Sequence, residues 1–334
     1  MMANGLVPPV TVVGAGGIGC CLAAALCSKN HPVRMVEKCT RKINWIRQNG
    51  IQIKGLPPYF VSVESFSTWK PPTGDLILLC VKCYDNSSFF RHISPNLPVL
   101  PVQNGFDPEL MSQEVVAEGI ASFIGETTPG TAYTRITRKG AIHIGPRTVG
   151  QRIPFSLRKL GSLLDGNGIR PIVVPSILPF KYTKFLYNCA ISPLASACGI
   201  DNGQLLANPR IRPIFLGLLK ENLTILNNSS IELGKVGPFS PKMVIAILQN
   251  SCLTRFLASW FKKSLDQTYC SMSGDWVTGK TELKYYLGHM IHLAGSNPCP
   301  LNRTLHSWSL HRLSENQMPT MDVISLLEKQ MPLP

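Results

Sequence analysis

Residues Val10–Gly19 read V-T-V-V-G-A-G-G-I-G, four β-branched residues running straight into Gly14, Gly16 and Gly19. β-Branched runs favour an extended chain, and the small-residue segment Cys20–Leu26 that follows favours a helix. A strand, a G-x-G-x-x-G turn and a helix in that order aim backbone N–H groups at a pyrophosphate. In that arrangement Gly14 makes the tight turn, Gly16 admits the phosphate, and Gly19 lets helix and strand pack closely. Gly17 and Ile18 lie where the helix opens. The turn therefore predicts a dinucleotide site on Gly14, Gly16, Gly17, Ile18 and Gly19, and a second strand at Pro32–Val36 continues the pattern.

Beyond this turn the first half alternates strand and helix signals. Val33–Val36, Asp75–Val81 and Pro98–Val102 read as strands, with helices around Arg41–Gln48 and Ser87–Ile93 between them. That rhythm predicts a parallel sheet with crossover helices. Ile51–Ile53, Tyr59–Val63, Ala141–Ile144 and Ile172–Val174 read as further extended pieces. From about Pro179 the pattern changes to a 3.6-residue period, over Lys181–Ala197, Ile211–Leu226, Lys242–Leu257 and Leu283–Leu293. Two domains follow, with residues 1–178 carrying the nucleotide site and residues 179–330 helical.

Composition narrows the function classes. With 334 residues, 44% hydrophobic and 16% charged, the chain is long enough for two buried cores. No apolar run approaches the roughly 18 residues of a membrane span, and Leu76–Val81 reads as a buried strand. Only nine residues precede Val10, which leaves no room for a targeting peptide and predicts a cytoplasmic protein. The eleven cysteines are scattered through predicted strands and helices, as Cys189 and Cys198 are, and read as reduced. Cys80-Val-Lys-Cys83 lacks a second pair or a nearby histidine, and His289 and His292 lack a carboxylate cluster, so no metal site is expected. The net charge of +14 attracts polyanions in general, yet no stretch carries the motif of a nucleic-acid module. The N-x-S/T matches at Asn86, Asn222, Asn228 and Asn302 have no consequence in a cytosolic chain.

Lys184, Asn188 and Ser192 fall at i, i+4 and i+8 of one predicted helix and share a face. Leu186, Ala190, Ile191 and Leu194 form its apolar side, so the polar stripe faces either water or a substrate. Here the chain resembles the ketopantoate reductase (2-dehydropantoate 2-reductase) family. The resemblance rests on the glycine turn, Val81-Lys82, Gln103-Asn104-Gly105, K-F-L-Y-N-C-A-I-S-P at Lys184–Pro193, and Asn202-Gly203. It continues in order through Ser271-Met272, Asp275, Thr281-Glu282, Gly288 and Pro300–Asn302. The resemblance implies an N-terminal Rossmann-type parallel sheet, a C-terminal all-helical domain and a site in the cleft between them.

It also implies NADPH-dependent reduction of the C2 ketone of ketopantoate to pantoate, on the route to pantothenate. By resemblance Lys184 is the general acid, Asn188 and Ser271 bind substrate, and Glu282 orients substrate and lysine. Asn104 lies beside both nicotinamide and substrate, and Lys82 touches the cofactor. Ser192 stands where the family usually has a second asparagine, and the Asp275–Glu282 interval is one residue short of the usual spacing. Another 2-oxo acid is therefore an alternative substrate, and a non-catalytic NADP(H)-binding sensor is an alternative from another class.

Glu37 ends the second strand, where an acid commonly binds the ribose 2′-hydroxyl of NAD. Lys38, Arg41 and Lys42 follow at once and suit a 2′-phosphate, so NADP is favoured over NAD. The expected partners are a small 2-oxo acid and at most a second copy of the chain, a monomer or homodimer, with neither nucleic acid nor membrane.

Overall fold

The computed structural model describes residues 6–148, 155–237 and 268–331, with residues 240, 243, 246 and 250 from the stretch before 268. Its first unit begins β1 (Val10–Val13), α1 (Gly17–Ser28), β2 (Val33–Glu37), α2 (Thr40–Asn49), β3 (Gln52–Ile53) and β4 (Ser62–Ser65). It continues with β5 (Leu76–Leu79), α3 (Asn86–His92), β6 (Val99–Pro101), α4 (Pro108–Ser112) and β7 (Glu118–Ala121). Strands β8 (Ile124–Thr127), β9 (Tyr133–Arg138) and β10 (Gly140–Gly145), helix α5 (Phe155–Leu164) and strand β11 (Ile169–Val173) complete it.

Five strands form one sheet in the order β4-β2-β1-β5-β6, every neighbouring pair parallel. Alternate residues of β1 and β5 enter two separate cores. Val10, Val12, Leu76 and Leu78 pack with Leu22 and Leu26 of α1, whereas Val13, Ile77 and Leu79 pack with Phe89 of α3. A parallel strand covered on both faces needs apolar residues at every position, which is why β1 and β5 read as unbroken hydrophobic runs. Thr11 is the polar residue within β1, and its hydroxyl donates to Asp75 at 2.6 Å.

These five strands are the expected parallel sheet, and the remaining strands of the unit pair in both senses. β10 pairs parallel with β11 but antiparallel with β7, and β9 pairs parallel with β3 but antiparallel with β8. The turn at Gly130 (φ +74°) joins β8 to β9, and a connection that short admits only antiparallel pairing.

The chain divides into two compact units, Met1–Asn104 with Pro108–Leu178, and Gly105–Asp107 with Pro179–Pro334. Among the described residues the second unit is helical: α6 (Leu178–Cys198), α7 (Asn202–Ala207), α8 (Ile211–Asn228), and helices Asp275–Thr278, Leu287–Ala294, Pro300–Ser314 and Asp322–Glu328. The helix expected over Leu283–Leu293 is broken. A 3-10 turn, Leu283–Tyr285, ends at Tyr286, whose backbone (φ −111°, ψ −89°) leaves helical geometry while its ring packs against Phe185. The helix expected over Lys242–Leu257 lies outside the described residues.

Two of the N-x-S/T asparagines have a structural task here. Asn222 of α8 is buried and donates to the Leu186 carbonyl of α6 at 3.2 Å. Asn302 donates to Asn222 Oδ1 at 2.8 Å and to Glu221 at 2.7 Å. Glu221 also accepts the backbone N–H groups of Leu301 and Asn302, which caps the N-terminus of helix Pro300–Ser314. This network fixes α6, the helix that carries the polar stripe, against its neighbours.

Candidate active site

Because β1, β2, β5 and β6 run parallel, the segments that leave them emerge at one edge of the sheet. The edge carries Gly14–Gly19 after β1, Glu37 and Lys38 at the end of β2, Val81-Lys82 after β5 and Gln103-Asn104 after β6. The connections leave β1 and β5 toward opposite sides of the sheet, the switch point at which open α/β sheets bind ligands.

Gly14 has φ +102°, and a methyl there would meet Val81 and the Cys80 backbone at 3.0–3.1 Å. A methyl on Gly17 would overlap the carbonyl oxygen of Gly125 in β8, whereas one on Gly16 would meet nothing within 4 Å. The turn is therefore tight against the protein at Gly14 and Gly17 and open at Gly16. Helix α1 starts at Gly17 with no side-chain cap and no acidic residue in its first turn. First-turn amides have no intrahelical acceptor, and the helix dipole adds positive potential there. This donor set fits the diphosphate of a dinucleotide.

Glu37 is buried and its carboxylate is committed to the backbone. It accepts the Ala15 N–H of the glycine turn at 2.7 Å and those of Lys38 and Cys39 at 2.8 and 2.9 Å. Lys42 reaches the other side of the same segment and donates to the Ala15 carbonyl at 2.8 Å. Lys38 pairs with both Asp85 oxygens at 2.6 Å. Its ammonium lies 5.7 Å from the centroid of the Tyr84 ring, and that of Lys82 lies 6.0 Å from it. Lys38 and Lys82 are thus brought together around one aromatic ring. Arg41 is exposed, and no hydrogen bond or ion pair with a described residue engages it.

Asn104 follows β6, and its Oδ1 is buried with no hydrogen-bond partner among the described residues. The residue before it, Gln103, is buried and pairs with buried Asn86 through both side-chain amides.

In the helical unit, α6 carries Lys184 and Asn188, both partly exposed, and buried Ser192. The Cys270 thiol donates to the Ser192 carbonyl at 3.3 Å, and the Ser196 hydroxyl donates to the Met272 carbonyl at 3.1 Å. These two bonds hold the Cys270–Met272 segment, with exposed Ser271 at its centre, along the second half of α6. Ser271 lies in a turn and caps no helix, since the cap of helix Asp275–Thr278 is Gly274.

Glu282 is buried, only 4% exposed. Its N–H donates to Asp275 Oδ2 at 3.2 Å, and Gly279 (φ +66°) turns the chain between them. The short Asp275–Glu282 interval is closed by that left-handed turn. Phe185 and Tyr286, with centroids 6.2 Å apart, join the residues next to Lys184 and shortly after Glu282. The unit thus gathers Lys184, Asn188, Ser192, Ser271 and Glu282 on α6 and the segments packed against it.

His289 stacks on Phe106 at 4.7 Å and packs edge-on to Phe185. Burial, aided by His292 and Lys181, pushes it down to about 4, so it is a neutral packing group near pH 7. Lys181, one turn before Lys184, is fully buried with its ammonium 4.7 Å from the Phe106 ring centroid. Nothing in the local sequence marked it, because its partner ring lies far away in the chain. No disulfide joins the described cysteines. Among the described residues no group of three His, Cys, Asp or Glu side chains is placed to hold a metal, and no helix is long and apolar enough to cross a membrane.

A glycine turn at the switch point of a parallel sheet, joined in one chain to a lysine-bearing helical unit, defines the class as a two-domain oxidoreductase. The chain belongs to the ketopantoate reductase family. The family model described as ketopantoate reductase PanE/ApbA matches residues 10–148, and its C-terminal counterpart matches residues 176–311. The 2-dehydropantoate 2-reductase of Pyrococcus abyssi is 24% identical over 90% of this chain and 96% of its own length. A PanE/ApbA family ketopantoate reductase from Ralstonia eutropha has a similar fold, with TM-score 0.71, 19% identity and 92% and 99% of the two chains covered. D-mandelate dehydrogenase, solved with NADH and anilino(oxo)acetate, is similar at TM-score 0.75 and 16% identity, with the same coverage.

Proposed function

We propose that the protein reduces the C2 ketone of 2-dehydropantoate to pantoate with NADPH, in pantothenate biosynthesis, as a monomer or homodimer. The observation that carries this reading is the Lys184–Asn188–Ser192 stripe on α6, in one unit with buried Glu282. Bound NADPH supplies the hydride. Lys184 hydrogen-bonds the ketone oxygen and gives it a proton as the carbonyl carbon receives hydride, so C=O becomes CH–OH. Asn188, Ser192 and Ser271 hold the carboxylate and hydroxyl of the substrate, and Glu282 orients it and the lysine. Gly14, Gly16, Gly17, Ile18 and Gly19 hold the diphosphate, with Lys38, Lys82 and Asn104 as further cofactor contacts and Asn104 also facing substrate.

The test is NADPH consumption by purified protein offered ketopantoate beside a panel of 2-oxo acids. Ketopantoate is expected to have the highest kcat/KM. Higher turnover of an aromatic 2-oxo acid would transfer the assignment to a related reductase. The fold likeness to D-mandelate dehydrogenase and the hydroxyl at Ser192 favour that second reading. No NADPH consumption with any acid, alongside retained NADPH binding, would instead favour the sensor.

Cofactor choice has its own prediction. Lys38 is paired with Asp85 and Lys42 with the Ala15 carbonyl, whereas Arg41 is exposed and engaged by no hydrogen bond or ion pair with a described residue, so within this cluster Arg41 is the cation best placed to select a 2′-phosphate beside the Lys38 contact. Arg41→Ala is expected to weaken NADPH binding by about tenfold or more and to leave NADH binding unchanged. Equal effects on both dinucleotides, measured by titration of their fluorescence, would remove Arg41 from cofactor selection.

A further inference from the structure

The segments after β5 and β6 are tied by one pair of buried amides. Asn86 Nδ2 donates to Gln103 Oε1 at 3.1 Å, and Gln103 Nε2 donates to Asn86 Oδ1 at 2.7 Å and to the Val81 carbonyl at 2.9 Å. With both of its Nε2 protons committed, the Gln103 amide has one orientation left. Val81 immediately precedes Lys82, and Gln103 immediately precedes Asn104. A single side-chain pair therefore fixes the backbone on which both of these residues stand.

The Oδ1 of Asn104 is buried and has no partner of its own among the described residues, so the position of its amide follows from the backbone that Gln103 holds.

We propose that Asn86 and Gln103 are positioning residues of the reductase, setting where Lys82 and Asn104 meet cofactor and substrate. The inference rests on the roles given above to Lys82 and Asn104. Groups that orient a ligand's direct contacts are typically worth 10–100-fold where they have been measured at metal sites, and the same logic of a held contact applies here.

The test uses Gln103→Met, which keeps the length and removes all three hydrogen bonds, with Asn104→Ala as reference. Gln103→Met is expected to weaken NADPH binding several-fold and to lower kcat/KM for the 2-oxo acid by about tenfold. Added to Asn104→Ala, it should lower kcat/KM by much less than it does alone, because both changes act through one contact. The exchanged pair Asn86→Gln with Gln103→Asn should recover part of the loss. If Gln103→Met does not fold, Gln103→Glu keeps one acceptor, loses both donors and is expected to change the same quantities in the same direction.

A folded variant with unchanged NADPH affinity and kcat/KM would overturn the proposal. So would a loss of the same size in the Asn104→Ala background, which is the signature of a purely structural pair. NADPH affinity is read without any turnover. A wild type that reduces no 2-oxo acid would therefore refute the proposed reaction while the binding comparison still decides the positioning role.

Discussion

Lys184→Ala is expected to lower turnover of the 2-oxo acid by roughly two to four orders of magnitude while NADPH binds almost as before. Hydride addition to a ketone places negative charge on oxygen, and without a donor at that oxygen the barrier rises. Lys184 is suited to the role because α6 fixes its backbone along a rigid face, one residue from the buried ring of Phe185. Substrate and cofactor contacts on other residues stay in place, so the loss should fall on kcat more than on KM for the acid. Steady-state kinetics with the purified variant checks this. Wild-type turnover would remove Lys184 from the chemistry, and loss of NADPH binding alone would make it a cofactor ligand.

Two neighbouring glycines should behave in opposite ways. In Gly17→Ala the new methyl overlaps the backbone carbonyl of Gly125, an atom that cannot turn aside as a side chain would. Helix α1 and strand β8 must separate, and the expected cost is about 3 kcal/mol or more of stability. In Gly16→Ala the methyl enters open space, and the backbone at this position (φ −85°, ψ −177°) suits any residue. That variant should melt with the wild type yet bind NADPH about tenfold or more weakly, because the methyl occupies the approach of the diphosphate. Thermal melts and dinucleotide titrations on both proteins separate the two effects. A stable Gly17→Ala would contradict the close packing of α1 on β8, and tight NADPH binding by Gly16→Ala would contradict the placing of the diphosphate.

The parts of this molecule legible in the sequence are those set by local physics. The β1 turn is readable because β-branched residues, glycine spacing and a small-residue helix are adjacent in the chain. The α6 stripe is readable because residues four apart share a helix face. What escaped depends on partners distant in sequence. Glu37 has the position of a ribose-binding acid, yet its carboxylate is bound to the amide of Ala15, 22 residues earlier, and to two amides beside it. Lys38 reads as a free cation until Asp85, 47 residues on, is folded beside it.

Asn86, Asn222 and Asn302 look like idle surface motifs in a string of letters. Burial turned each into a bridging amide, and for Asn302 the partner in Glu221 lies 81 residues away. The break at Tyr286 was hidden for a related reason. The apolar period of Leu283–Leu293 continues through it, and only the packing of that ring against Phe185 shows where the helix stops. The mixed sheets of β7 to β11 followed the same course, since their pairing depends on turns whose geometry leaves little trace in hydrophobic periodicity.

The most direct test of the account is the fate of the transferred hydrogen. NADPH with both hydrogens of the nicotinamide C4 replaced by deuterium would be incubated with the protein and ketopantoate, and the product examined by mass spectrometry and proton NMR. The account predicts pantoate with deuterium at C2 in every product molecule. Recovery of unlabelled pantoate, or of unchanged ketopantoate beside protein that demonstrably binds NADPH, would contradict it.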